Sequence, residues 1–211
     1  MEIKSVILAA GKGTRMKSET PKVLHKILDK TLLGFVLDNV KDIVNESFVI
    51  VGHKSEDVTA FVEANYKSVK TILQQPQLGT GHAVSMVCPY LEDFDGQVII
   101  LCGDTPLIKK DTLQKFIEYH NKSNSDLTVM STIFDNPTNY GRIVRENDNT
   151  LKCIVEEKDA SIEQKLIKEV NAGIYCINWN KFKSAFSELK SNNAQGEYYL
   201  TDIVEWGKKK Y

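Results

Sequence analysis

The sequence predicts a mixed α/β fold, a mostly parallel sheet flanked by helices, and three observations carry that expectation. Short β-branched runs alternate with helical patterns through the first half of the chain. Those runs carry apolar residues on both faces, as strands covered on both sides require. Past about residue 125 the pattern changes to strand-like segments with short connections.

The elements follow in order. Residues 3–8 (IKSVIL) read as a first strand, and 32–44 (LLGFVLDNVKDIV) have helical periodicity with one polar face. Residues 47–52 (SFVIVG) read as a strand and 55–64 (SEDVTAFVEA) as a helix with Ser55 as its N-cap. A third strand is expected at 69–73 (VKTIL). Residues 80–91 (TGHAVSMVCPYL) begin a helix that Pro89 should end or distort. Residues 97–104 (QVIILCGD) form a strongly apolar strand ending in a polar turn, and 111–123 another helix. DLTVMSTIF, GRIVRE, LKCIVEEK and EVNAGIYCIN then read as strands, and 193–210 as a terminal helix. Parallel sheets bind ligands beyond their strand C-termini. Three polar stretches, AAGKGTR, QQPQLGTG and CGDTPLI, follow such ends and are expected to line one edge.

Composition bounds the rest. The 211 residues suit one folded unit, with a change of architecture between about 1–125 and 126–211. Hydrophobic residues make up 42% and charged residues 26%, ordinary for a globular chain. A net charge of −1 gives no field favouring nucleic acid or an acidic membrane, and neither partner is expected. No apolar run approaches a membrane span, and residues 1–13 lack signal-peptide character, so a cytoplasmic location is expected. Cys88, Cys102, Cys153 and Cys176 match no zinc spacing and read as small apolar residues. The four histidines show no ligand spacing and read as structural or surface groups.

The stretch LAAGKGTRM (8–16) raises the question of chemistry. A Walker loop fails, because Gly13 follows Lys12 and Val6 holds the first glycine's place. A dinucleotide fingerprint fails, because Met16 stands at the third glycine. The composition still suits an anion. Glycines let backbone N–H groups converge, while Lys12, Arg15 and then Lys22 add positive charge. A tight strand-to-helix turn with solvated cations is the alternative.

Other stretches are equally two-sided on their residues alone. Gln74 and Gln77 ahead of Gly79-Thr80-Gly81 offer donors and acceptors to a nucleobase, or form a polar loop. Asp104, just past a buried strand, suits Mg²⁺ or caps a turn before Pro106. Gly141 permits close approach of a sugar or makes a hairpin turn. Glu156 and Asn171 read hydroxyl and acetamido groups or are ordinary strand polarity.

Leu8-x-x-Gly11-x-Gly13-Thr14-Arg15-Met16, followed by Pro21-Lys22, resembles the signature of the sugar-phosphate nucleotidyltransferases. QLGTGHAV, GDTPLI, NYGRIVRE, IVEEKDA, EVNAGIY and NNAQGEYYLTDI are similar, in order, to the N-acetylglucosamine-1-phosphate uridylyltransferase domain of bifunctional bacterial enzymes. The resemblance implies the Rossmann-like fold of nucleotide-diphospho-sugar transferases, with a β-rich sugar-binding part. It implies conversion of UTP and N-acetylglucosamine 1-phosphate to UDP-N-acetylglucosamine and pyrophosphate, for peptidoglycan and lipopolysaccharide precursors.

The same resemblance distributes roles. Arg15 and Lys22 would be catalytic, stabilising triphosphate charge. Leu8, Ala9, Ala10 and Gly11 would meet the nucleotide through backbone. Gln74, Gly79 and Thr80 would hold uracil, and Cys102 and Gly103 would line the nucleotide site. Asp104 would hold Mg²⁺, and Gly141, Glu156 and Asn171 would bind the sugar. The family continues past this point with an asparagine ligand for Mg²⁺ and a left-handed β-helix acetyltransferase domain. Neither falls in these 211 residues, so acetyl transfer and trimerisation are not expected and uridylyl transfer is expected to be weakened. Alternatives are another sugar 1-phosphate, or a silent UTP- or UDP-sugar-binding module.

Overall fold

The structure, a computed structural model, describes residues 1–13 and 16–211. Eight strands form its central sheet: β1 (Ile3–Ala9), β2 (Glu46–Val51), β3 (Val69–Leu73), β4 (Gln97–Cys102), β5 (Leu127–Ile133), β6 (Arg142–Arg145), β7 (Leu151–Val155) and β8 (Glu169–Asn178). The order is β3-β2-β1-β4-β8-β6-β7, with β5 paired to β8. The first four strands are parallel, and β8 runs antiparallel to β4 and carries the later strands. Helices α1 (Leu32–Val40), α2 (Ser55–Asn65), α3 (Thr80–Ser85) and α4 (Lys110–Lys122) belong to the first half. Short helices α5 (Ile162–Lys165), α6 (Trp179–Phe182) and α7 (Ala185–Glu188) precede α8 (Ile203–Lys210).

The strand pattern follows from burial on both faces. Val6 pairs with Phe48 and Ile100 and sends its side chain to one core. Ile7, paired with Val49 and Leu101, points to the other. The first core is closed by α3, α6, α7 and α8 through Val84, Trp179, Phe186 and Ile203. The second is closed by α1, α2 and α4 through Leu33, Val58 and Phe116. Each such side chain contributes about 1.5–3 kcal/mol by leaving water. On α4 the buried residues Leu113, Phe116, Ile117 and His120 fall on one helical stripe.

Several expectations are corrected. Ser55 is the first helical residue of α2, and the cap position is Lys54, whose φ is 50°. The helix begun at Thr80 ends at Ser85, and Pro89 sits in a 3-10 turn at Cys88–Tyr90. The helix at Leu32 stops at Val40, where the Ile43 and Val44 amides fold back on the Val40 carbonyl. Residues 193–199 are not helical. The Tyr198 amide donates to the Leu78 carbonyl and the Ala194 amide to Asp159 Oδ1, so tertiary partners replace helical ones. A small hairpin at Lys26–Ile27 and Lys30–Thr31 and the helices α5 to α7 carry no clear periodic signal.

Arg142 is 1% exposed and bonds Glu157 at 2.6 Å, while Arg145 grips Glu169 through two nitrogens. Both arginines brace the β-rich half. All four cysteines are free thiols, with Cys176 buried and the other three half-buried. No described helix is long and apolar enough to cross a membrane.

Candidate active site

In this sheet β1 is flanked by β2 on one side and β4 on the other, and the chain reverses its order of strand addition there. Such a switch point opens a crevice beyond the strand carboxyl ends. A crevice of about 630 Å³ lies there, lined by Leu8 to Gly13, Lys22, Gln74, Gly79, Thr80, Cys102 and Asp104. All three polar loops expected at one edge contribute to it. Another groove, of about 480 Å³, opens at the opposite ends of β2 and β3, between Asp38, Asn45 and Lys67. It lacks the glycine-rich backbone.

Glycine has a separate reason at two positions on the rim. At Gly11 a side chain would meet nothing within 4 Å, so the backbone is bare to the crevice. Gly13 has a φ of 59°, and a Cβ there would press on Lys22 Cβ at 2.9 Å. The turn therefore brings the Lys22 stem against the loop. Thr14 and Arg15 lie outside the described residues, and with them the expected catalytic arginine.

Lys22 reaches across to form an ion pair with Asp104. Asp104 lies two residues past the end of β4, and the intervening Gly103 amide donates to the Leu8 carbonyl at 2.9 Å, locking this turn to β1. Gly103 itself backs the crevice and does not line it. The Asp104 side chain is 27% exposed and already accepts one cation, the Lys22 ammonium. A hard oxygen donor so placed fits Mg²⁺ held by one carboxylate, water and ligand phosphates. Among the described residues no cluster of three metal-ligating side chains occurs. Burial and the nearby Asp104 push the Cys102 thiol up to about 12, so it stays protonated and is no nucleophile.

One end of the crevice is built by the 74–82 segment. Gln74 is 2% exposed. Its Nε2 donates to the Gly79 carbonyl at 2.9 Å and meets His82 Nδ1 at 3.0 Å. Thr80 Oγ1 accepts the Leu200 amide at 3.0 Å, and the Gly81 amide donates to the Tyr198 carbonyl at 2.8 Å. The stretch at 197–200 thus clamps the 79–81 turn. Burial holds the His82 imidazole below its usual range, so it is neutral near pH 7.

The remaining expected residues cluster beside the other end. The Asn171 amide donates to the Gly141 carbonyl at 2.9 Å, and a Cβ on Gly141 would lie 3.4 Å from Glu156 Oε1. Asn171 Nδ2 donates to Tyr175 Oη at 2.6 Å, and its Oδ1 accepts from Gly173 N at 2.9 Å. A register shift in β8 between Asn171 and Tyr175 makes room for this turn. Gly173 packs against Cys102, whose Sγ lies 3.1 Å from where its Cβ would be. Cys102 therefore joins this cluster to the crevice. Burial raises the Glu156 carboxyl, and Asp202, Asp159 and Glu197 reinforce the shift. Asp202 is pushed up to about 6 by burial, with Glu205 and Asp159 adding to it. The crevice is thus basic around Lys12 and Lys22 and acidic toward Glu156.

Gln77, read with Gln74 as a base-edge candidate, also lines the crevice, and so do Val23, Ala83 and Glu197, for which the sequence held no such expectation. Gln77 sits inside the recognised QLGTG stretch. Glu197 sits in NNAQGEYYLTDI, where the expectation of a helix hid its contribution.

The Nucleotidyl transferase family matches residues 4–211. The bifunctional protein GlmU of Alkaliphilus oremlandii is 51% identical over 205 residues, covering 97% of this chain and 44% of that protein. GlmU of Clostridioides difficile is 47% identical over 206 residues, with the same shares. The chain therefore spans under half the length of these curated relatives. Among solved structures, UDP-glucose pyrophosphorylase complexed with UDP-glucose aligns with a TM-score of 0.78 at 19% identity, covering 100% of this chain and 88% of that one. That likeness is one of fold. HddC from Yersinia pseudotuberculosis, complexed with GMP-PN, aligns with a TM-score of 0.68 at 25% identity, covering 94% and 83%.

Proposed function

The chain belongs to the nucleotidyl transferase family, and we propose that it transfers the uridylyl group of UTP to N-acetylglucosamine 1-phosphate. The products would be UDP-N-acetylglucosamine, a cell-wall precursor, and pyrophosphate. The observation that carries this reading is the crevice at the β1–β4 switch point. Bare glycine backbone, the Lys22–Asp104 pair and the Gly141–Glu156–Asn171 cluster adjoin there. The resemblance of QLGTGHAV and EVNAGIY to the N-acetylglucosamine-1-phosphate uridylyltransferase domain supports the choice of sugar, alongside the 51% and 47% identity to bifunctional GlmU proteins.

In this reaction a phosphate oxygen of the sugar 1-phosphate forms a bond to the α-phosphorus of UTP. The bond from that phosphorus to the bridging oxygen breaks, and its electrons leave with pyrophosphate. No enzyme nucleophile is needed, which agrees with the protonated Cys102. Catalysis is then alignment and charge neutralisation.

Backbone N–H groups of the 9–13 turn would face the phosphates, with Arg15 adding a bidentate donor. Lys22 would leave Asp104 for phosphate oxygens near the reacting phosphorus. Bound Mg²⁺ would supply charge neutralisation between the phosphates, and Asp104 would hold it. Gln74, Gly79 and Thr80 would receive the uracil. Gly141 would let the sugar approach, with Glu156 and Asn171 meeting its hydroxyl and acetamido groups.

A substrate panel tests the reading. Pyrophosphate release is measured with each of UTP, CTP and dTTP against N-acetylglucosamine 1-phosphate and glucose 1-phosphate, with Mg²⁺. Release should be fastest with UTP and the acetylated sugar. Faster release with glucose 1-phosphate would reassign the sugar, and binding of UTP without release would make the chain a binding module.

A further inference from the structure

We propose that His82 is a positioning residue that turns the Gln74 amide so its oxygen faces the crevice, selecting a pyrimidine with a ring N–H donor. The inference rests on the reading of Gln74 as a base contact.

A primary amide carries two N–H donors and one acceptor oxygen. Which way it points follows from its partners. The Gly79 carbonyl can only accept, so the atom 2.9 Å from it is Nε2. That carbonyl also receives the Ala83 amide at 3.0 Å, the first turn of α3, which fixes where it points. The second Nε2 hydrogen then faces His82 Nδ1 at 3.0 Å. Nδ1 must offer a lone pair, so the imidazole carries its proton on Nε2. The neutral state that burial gives His82 meets this demand.

Both donors of Gln74 are thereby committed. Among the described residues no donor reaches Gln74 Oε1, and that atom is not sealed from solvent. With the residue 2% exposed and lining the crevice, the oxygen has one direction open. A ligand must bring it a donor. Uracil and thymine present N3–H there, whereas cytosine presents an N3 lone pair and leaves two acceptors opposed. A buried acceptor without a donor is the costly case, so the selection is strong for a single contact. Gly79 lies on a turn, whereas His82 lies on α3 with its ring beside Tyr198 at 6.3 Å. His82 is thus the anchor on regular structure.

The test measures UTP and CTP affinity by calorimetry for the 211-residue chain, His82→Leu and His82→Asn, with melting curves as a fold control. Leucine keeps apolar bulk and removes the acceptor. Asparagine returns an acceptor oxygen at the δ position. His82→Leu should weaken UTP about 3–10-fold, the loss of one hydrogen bond, with CTP unchanged. His82→Asn should restore the UTP preference. An unaltered UTP-to-CTP ratio in His82→Leu overturns the proposal, as does a loss that asparagine does not restore. ¹⁵N spectra of the ring-labelled wild-type chain give a test that needs no variant. They should show His82 protonated on Nε2 alone, and a proton on Nδ1 overturns the proposal. Absence of any UTP preference in the wild-type chain would instead refute the functional reading itself.

Discussion

Replacing Gly79 by alanine should break the clamp that shapes the base end of the crevice. The added methyl carbon would lie 2.6 Å from the Tyr198 carbonyl oxygen and 2.9 Å from both Tyr198 N and Glu197 Cβ. Two of those three atoms are backbone, so no side-chain rotation relieves them. The φ of 111° is also one that alanine avoids. Backbone strain of this kind costs about 1–3 kcal/mol. Overpacking adds about 1–3 kcal/mol more. At about 2.1 cal/mol/K per residue, unfolding entropy for a chain this size is about 0.4 kcal/mol/K, and the melting temperature should fall by about 5–14 °C. The Gly79 carbonyl also holds Gln74, so folded variant should bind UTP about 10-fold more weakly, or about 1.4 kcal/mol. Thermal denaturation followed by circular dichroism reads the first effect and calorimetry the second. A variant that melts and binds UTP like wild type would refute the clamp.

Gly11→Ala is the contrasting case. Its methyl would enter open crevice at a φ outside the left-handed region, so melting should stay within 2 °C or so (about 1 kcal/mol) while UTP affinity falls. Unchanged affinity would remove the Gly11 backbone from the binding surface. Lys22→Ala should lower turnover about 100-fold or more, the usual loss for one charged donor at a phosphoryl centre. Its partly exposed pair with Asp104 is worth only about 0–1 kcal/mol, so the fold should persist. Arg15→Ala should cripple turnover likewise, and wild-type rates in both variants would sink their assigned roles. Glu156→Gln should raise KM for the sugar phosphate and leave KM for UTP unchanged; the reverse split would move Glu156 to the nucleotide. Asp202 has its carboxyl raised to about 6 in the fold, so the native state binds the proton more tightly than the unfolded chain. Its contribution to stability is therefore present in acid and lost as pH rises from about 4 to about 6. Asp202→Asn should gain roughly 1–2 kcal/mol over wild type at pH 7 and little at pH 4, measured by urea denaturation at the two pH values.

The strands were legible because burial on two faces writes a continuous apolar run. EVNAGIYCIN became β8 with the same limits. The crevice was legible in outline because glycines and polar residues follow the strand ends. What the sequence hid depends on partners distant along the chain. Within residues 193–199, Tyr198 N donates to the Leu78 carbonyl and Ala194 N to Asp159 Oδ1, and no local periodicity announces that. His82 looked like one more histidine without ligand spacing, since its partner Gln74 reaches it only through the turn at Gly79. Arg142 and Arg145 likewise find carboxylates that only strand pairing brings close.

The central claim is uridylyl transfer to a sugar phosphate, and ³¹P NMR of one mixture tests it most directly. The chain is incubated with UTP, N-acetylglucosamine 1-phosphate and Mg²⁺. The account predicts loss of the UTP resonances and equal growth of a UDP-sugar diphosphate pair and free pyrophosphate, dependent on both substrates. UTP that stays intact while bound, or is cleaved without the sugar phosphate being consumed, would contradict it.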